Sequence, residues 1–82
     1  MTNPIRQIRE GYTATKDLVE KTNANSGSWL YTNSDKVEEF TASMKNPLRI
    51  LGRLSYTLTH QNQFSDFYIE LNRYLAVHSA RA

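Results

Sequence analysis

Residues 46–59 read NPLRILGRLSYTLT, and the placing of this stretch decides the fold. Asn46 is a residue type suited to capping a helix. Pro47 suits the first helical position, where its missing N–H has no intrahelical partner to lose. Leu48, Leu51, Leu54, Ser55 and Leu58 then recur at spacings of three and four, with Ile50 at the margin, which is the periodicity of a one-sided helix. Arg49, Arg53 and Tyr56 fall within about 60° of one another, beside this stripe and not on it. The spacing predicts a helix that packs through its leucines and turns its Arg49–Arg53–Tyr56 side outward.

Working outward, the same Asn-Pro start occurs at residues 3–4, where Asn3 caps and Pro4 opens a helix running to about Asn23. Ile5, Ile8, Tyr12, Thr15 and Val19 carry its stripe, Leu18 widens it, and Asp17 and Lys21 form an i,i+4 pair. Gly11 costs this helix about 1 kcal/mol against alanine, and it permits another backbone to approach closely. The likeness between "NPIRQIRE" and "NPLRILGR" is explained by two helices using one start signal, since the stretches diverge after the second apolar residue.

Between these helices lies "TNANSGSWLYTNSD", residues 22–35, where Asn, Ser and Gly mark a connector. Ser28–Thr32 alternates, with Trp29 and Tyr31 on one side, and is expected to lie as an extended arm on the helices. Asp35 and Glu38 have the spacing of a capping box for a short helix ending near Lys45, with Val37, Phe40, Thr41 and Met44 on its apolar side. After residue 58, "THQNQ" (59–63) lacks apolar residues, and a break is expected there with Asn62 in a left-handed turn. The last helix runs from about Gln63 to His78. Phe64, Phe67, Tyr68, Leu71, Tyr74, Leu75 and His78 form its stripe, and Ile69 and Ala76 lie on roughly the opposite side. Asp66 and Glu70 toward its start, and His78 and Arg81 toward its end, complement the helix dipole. The expected fold is all-α: a small three- or four-helix bundle, one domain over residues 1–82, with an extended arm between helices 1 and 2.

Composition narrows the function. The chain has 82 residues and no cysteine, which removes disulfides and thiolate metal sites and is the usage of a reducing, intracellular setting. Hydrophobic content of 39% and charged content of 22% are those of a globular chain. The longest uncharged run, Thr22–Ser34, is polar and turn-rich, so no membrane span is expected, and the N-terminus has no apolar core of a secretory signal. The two histidines, His60 and His78, match no metal-ligand spacing, and no cofactor or metal is expected. No Ser or Thr sits in a nucleophile motif. The carboxylate pairs Glu38/Glu39, Asp66/Glu70 and Asp17/Glu20 read as solvated helix surface. An enzyme is not expected.

Binding remains. A domain this small buries only about 60% of its unfolded surface, so association is the natural remedy. Its nine aromatics cannot all be central, and some are expected at the edge. The leading expectation is a non-catalytic protein–protein interaction module, either an accessory subunit or a small inhibitor of the kind that viruses and mobile elements use. It would bind a larger partner or self-associate through Trp29, Tyr31, Arg49, Arg53, Tyr56 and Ile69. The alternative is a small DNA- or RNA-associated regulator using Arg6, Arg9, Lys16, Arg49 and Arg53. Against it stand a net charge of only +2 and a third helix too apolar for base reading.

Overall fold

The computed structural model describes residues 3–79, and Arg81 lies outside them. Five helices follow in chain order: α1 Pro4–Ala24, α2 Ser28–Thr32, α3 Ser34–Ser43, α4 Pro47–Thr59 and α5 Gln61–Ser79. No strand occurs among the described residues. Both Asn-Pro pairs start helices. The Asn3 side chain accepts from the N–H groups of Ile5 and Arg6, and the Asn46 side chain accepts from that of Leu48 at 2.9 Å.

The connector departs from expectation. α1 ends where Ser26 and Gly27 take positive φ (51° and 84°), and the Gly27 N–H closes the end on the Thr22 carbonyl at 2.9 Å. This turn points Ser28–Thr32 back at the bundle, where it forms a helical turn and not an extended arm. A lone strand here would leave its backbone groups without a ladder, whereas a helical turn pairs them locally. Side chains reinforce it: Ser28 donates to the Asn25 carbonyl, and Thr32 and Asn33 both donate to that of Trp29. Leu30 is thereby carried fully into the core.

Two smaller differences concern helix ends. α3 begins after Asn33, so Asp35 sits inside the first turn, where its charge still suits the helix dipole, and not at the cap. The break between the last two helices falls on His60 alone (φ −135°, ψ 49°), and Asn62 is helical.

Packing is dominated by α1 against α4. Asn46 and Arg49 donate to Gln7, Arg49 also meets Glu10, and Tyr56 and His60 meet Tyr12. The partners climb both helices in the same direction, so the two run roughly parallel. They touch at Gly11 and Gly52. A Cβ on Gly52 would overlap the Ile8 carbonyl oxygen and lie 2.6 Å from the Tyr12 nitrogen; one on Gly11 would overlap the Arg49 carbonyl. The close approach anticipated at Gly11 is real, and it needs a second glycine to happen.

That crossing overturns the expected orientation of α4. The side turned to α1 carries Gly52 and Tyr56, while Leu51, Leu54 and Leu58 point outward at 49%, 46% and 71% exposure. Leucine periodicity identifies an apolar side but says nothing about which side allows backbones to meet. Here the glycine contact, the fully buried Tyr56 ring and the Arg49 hydrogen bonds to α1 together outweigh leucine burial.

The core joins Leu18 and Val19 of α1, Leu30 of α2, Val37 of α3, Tyr56 of α4, and Phe67 and Tyr74 of α5. On α5, Phe64, Leu71 and His78 are half-buried, while Tyr68 and Leu75 are exposed. Of the aromatics, Tyr31 and Tyr68 lie at the surface, as the size of the core requires. The result is a slab of 37 × 29 × 16 Å, about two helices thick.

Candidate interaction face

The six residues expected to bind a partner do not converge on one surface. Trp29 is half-buried against the core and forms part of a groove of about 310 Å³ with Leu18, Lys21, Lys36 and Phe40; the Lys21 ammonium lies 5.6 Å from its ring centroid. Tyr31 is exposed, with its ring edge-to-face on Tyr74 at 5.3 Å. Ile69 is exposed on α5 beside a polar cleft lined by Asp66, Glu70 and Gly27. Arg49, Arg53 and Tyr56 do share one side of α4, but that side faces inward. Arg49 is tied to Gln7 and Glu10, Arg53 is half-buried, and Tyr56 is 1% exposed.

Tyr56 is a structural group. Its ring stacks on His60 at 4.3 Å, meets Tyr12 edge-on at 5.5 Å, and its hydroxyl donates to the Gln63 side-chain oxygen at 3.1 Å. Burial pushes its phenol above the ordinary value of 10.0, with the Glu20 carboxylate and Tyr12 acting in the same direction. The folded chain therefore keeps this proton to higher pH than the unfolded chain. Its contribution to stability is full below about pH 10 and is lost as pH rises through the folded value. Tyr56→Phe is expected to flatten the alkaline fall in unfolding free energy, read by urea titration between about pH 8 and 11.

The basic residues are partly neutralised. Arg6 and Arg49 share Glu10, at 3.1 and 2.8 Å, which leaves Arg9 and Lys16 as exposed cations on α1. The histidines serve packing: His60 on Tyr56, with its Nδ1 2.8 Å from the Thr59 hydroxyl, and His78 on Tyr74 at 4.0 Å. Among the described residues no three His, Cys, Asp or Glu side chains gather to hold a metal ion, and no helix is long and apolar enough to cross a membrane.

What the structure does bring together is a face absent from the expected set. Leu51, Leu54 and Leu58 stand outward along α4, and Ile5, 67% exposed, lies on the adjoining part of α1. Ile5, Ile8, Arg9 and Tyr12 line a shallow apolar groove with Ser55 of α4, which lies one helical turn from Leu51 and Leu58. On α4 the arc from Thr57 through the leucines to Thr59, about 200° of the helix, carries no charged residue. Fully covering an exposed leucine is worth about 1.5–3 kcal/mol, so three that are 46–71% exposed, side by side, form a reservoir of binding free energy. Comparison with known proteins finds no matching family model, no matching curated protein and no matching solved structure.

Proposed function

We propose that this chain is a non-catalytic protein-binding module, an accessory subunit or small inhibitor that works by covering an apolar surface of another protein chain. The observation that carries the reading is the outward stripe Leu51, Leu54 and Leu58 on α4. Contiguous exposed apolar surface on a small protein marks an interaction site, and single scattered leucines do not. The contact is apolar at its centre, with Arg9 and Lys16 on its α1 side available to orient a partner. The sharing of Glu10 by Arg6 and Arg49 supports this reading over phosphate binding, because two of the five cations already have a counterion.

The test is capture of the partner from nuclease-treated native extract with the wild type, with L51Q/L54Q/L58Q and with R9A/K16A. Glutamine keeps nearly the helix propensity of leucine, so the first variant removes the apolar face and little else. The expected result is a partner retained as salt is raised, lost with the glutamine variant and kept by the alanine variant. Retention that collapses with salt, disappears with nuclease and depends on Arg9 and Lys16 would instead assign phosphate binding.

A further inference from the structure

We infer that the polar cleft between the end of α1 and α5 binds a primary ammonium group, that of a lysine side chain presented by another protein. No residue of α4 lines this cleft, so the inference shares with the proposed function only the statement that a protein is bound. Its first support is a hydroxyl. Thr22 is fully buried at the floor of the cleft, and its Oγ1 has no hydrogen-bond partner among the described residues. A helical threonine can settle its hydroxyl on the carbonyl four residues back, as Thr15 does on Gly11 at 2.8 Å and Thr41 on Val37 at 2.9 Å. Thr22 does not. A buried polar group left without a partner is costly, and the cleft is where a donor can reach this one.

The second support is charge. Asp66 and Glu70 stand one turn apart on α5, a spacing at which like charges repel, and both line the cleft. Asp66 has no ion-pair partner among the described residues. Glu70 meets Arg73 through Oε1 at 3.1 Å, while its Oε2 lies against Gly27, where a Cβ would overlap it. Thr22 and Asn23 belong to the last turn of α1, so the negative end of that helix's dipole falls on the same cleft. Lys21, in the same turn, is directed at the Trp29 ring, 5.6 Å from its centroid.

The third support is shape. The cleft holds about 300 Å³, the lower end of the range for sites of small organic groups. Two carboxylates with no third acidic or imidazole side chain beside them, among the described residues, suit an organic cation better than a metal ion. Ile69, 52% exposed, stands at the rim, where it can cover the methylene stem of a lysine whose charged end points inward. An ammonium has three donors and no acceptor, and Asp66, Glu70 and the Thr22 hydroxyl offer it three acceptors. The Asn23 amide donates to the Gln63 carbonyl at 2.9 Å, which ties α1 to α5 and fixes the walls before anything binds.

The test is an NMR titration of the isotope-labelled full chain with Nα-acetyl-lysine N-methylamide, beside the Nε-acetylated form of the same compound. The lysine form should shift the amide signals of Gly27, Asp66 and Glu70 to saturation, and the acetylated form, which keeps the stem and loses the charge, should not. Asp66→Asn should raise the dissociation constant about 10-fold, the equivalent of one hydrogen bond to a charged group. Thr22→Val keeps the shape of the side chain and should raise the constant several-fold. In urea it should unfold no earlier than the wild type, because the hydroxyl has no partner to lose. Equal shifts from both forms, or a constant unchanged in Asp66→Asn, would overturn the site. A Thr22→Val variant that unfolds markedly earlier would show the hydroxyl bonded within the fold and overturn its role. Calcium chloride moving the same signals at lower concentration would assign a metal ion. Binding of n-butylammonium without binding of the lysine form would assign a free amine. Either result overturns the lysine reading. L51Q/L54Q/L58Q should leave this titration unchanged, so the cleft and the leucine face of α4 stand or fall separately.

Discussion

Gly52→Ala is expected to remove about 3 kcal/mol or more of folding free energy, although alanine is the better helix former by about 1 kcal/mol. The added methyl would meet backbone and not a side chain that can swing away: it overlaps the Ile8 carbonyl and comes within 2.6 Å of the Tyr12 nitrogen. Relief requires α1 and α4 to separate. Separation unpacks Tyr56 and stretches the hydrogen bonds of Arg49 to Gln7 and Glu10. A domain of 82 residues has about 4–12 kcal/mol to lose, so the effect is a quarter of its stability at the least. Urea unfolding reads it directly. A variant that gains the alanine propensity and unfolds later than the wild type would show that the helices do not meet at this residue. Gly11→Ala meets the Arg49 carbonyl in the same way and should behave alike.

Tyr56→Ala is expected to cost about 3–5 kcal/mol, the range for removing a buried aromatic ring. Only 1% of Tyr56 is exposed, and the loss would open a cavity between Tyr12, His60 and the rest of the core. Leu58→Ala, on the same helix but 71% exposed, should stay within about 0.5 kcal/mol when measured in dilute solution. The contrast reverses the ranking that apolar periodicity alone assigns to these two residues. Equal costs, or a larger one at Leu58, would mean that α4 is rotated from the orientation described.

The helices themselves were legible in the sequence because both signals that define them are local. Asn-Pro marks two starts through capping and φ preference, and recurrence at three and four marks the bodies of α1, α4 and α5. Ser28–Thr32 was not legible, because five alternating residues fit a strand as well as a turn of helix, and the choice depends on the left-handed turn at Ser26 and Gly27. The orientation of α4 was hidden for a different reason. Glycine contributes no apolar signal, so a contact built on two missing side chains leaves the periodicity pointing at the leucines. Gly11 carried half of the clue, and Gly52, set between Leu51 and Arg53, carried the other half.

The candidate site followed from that orientation. Choosing Arg49, Arg53 and Tyr56 as surface was the consequence of placing the leucines inside, and rotating α4 exchanges the two sets. Trp29 was expected to anchor an extended arm and a partner; its ring packs against the core and beside Lys21, on a turn of helix. Ile69 and Tyr31 are exposed as expected, on elements too far apart in sequence for periodicity to relate them.

The central claim is that α4 packs through its glycine and tyrosine side and leaves its leucines outside. The most direct measurement is the unfolding free energy of L51Q/L54Q/L58Q beside the wild type, at a concentration where both are monomeric. The account predicts a cooperative transition within about 2 kcal/mol of the wild type, since three partly exposed side chains are exchanged for ones of similar helix propensity that keep part of the apolar contact. Loss of cooperative unfolding, or a drop of several kcal/mol of the size that emptying a leucine core produces, would contradict it.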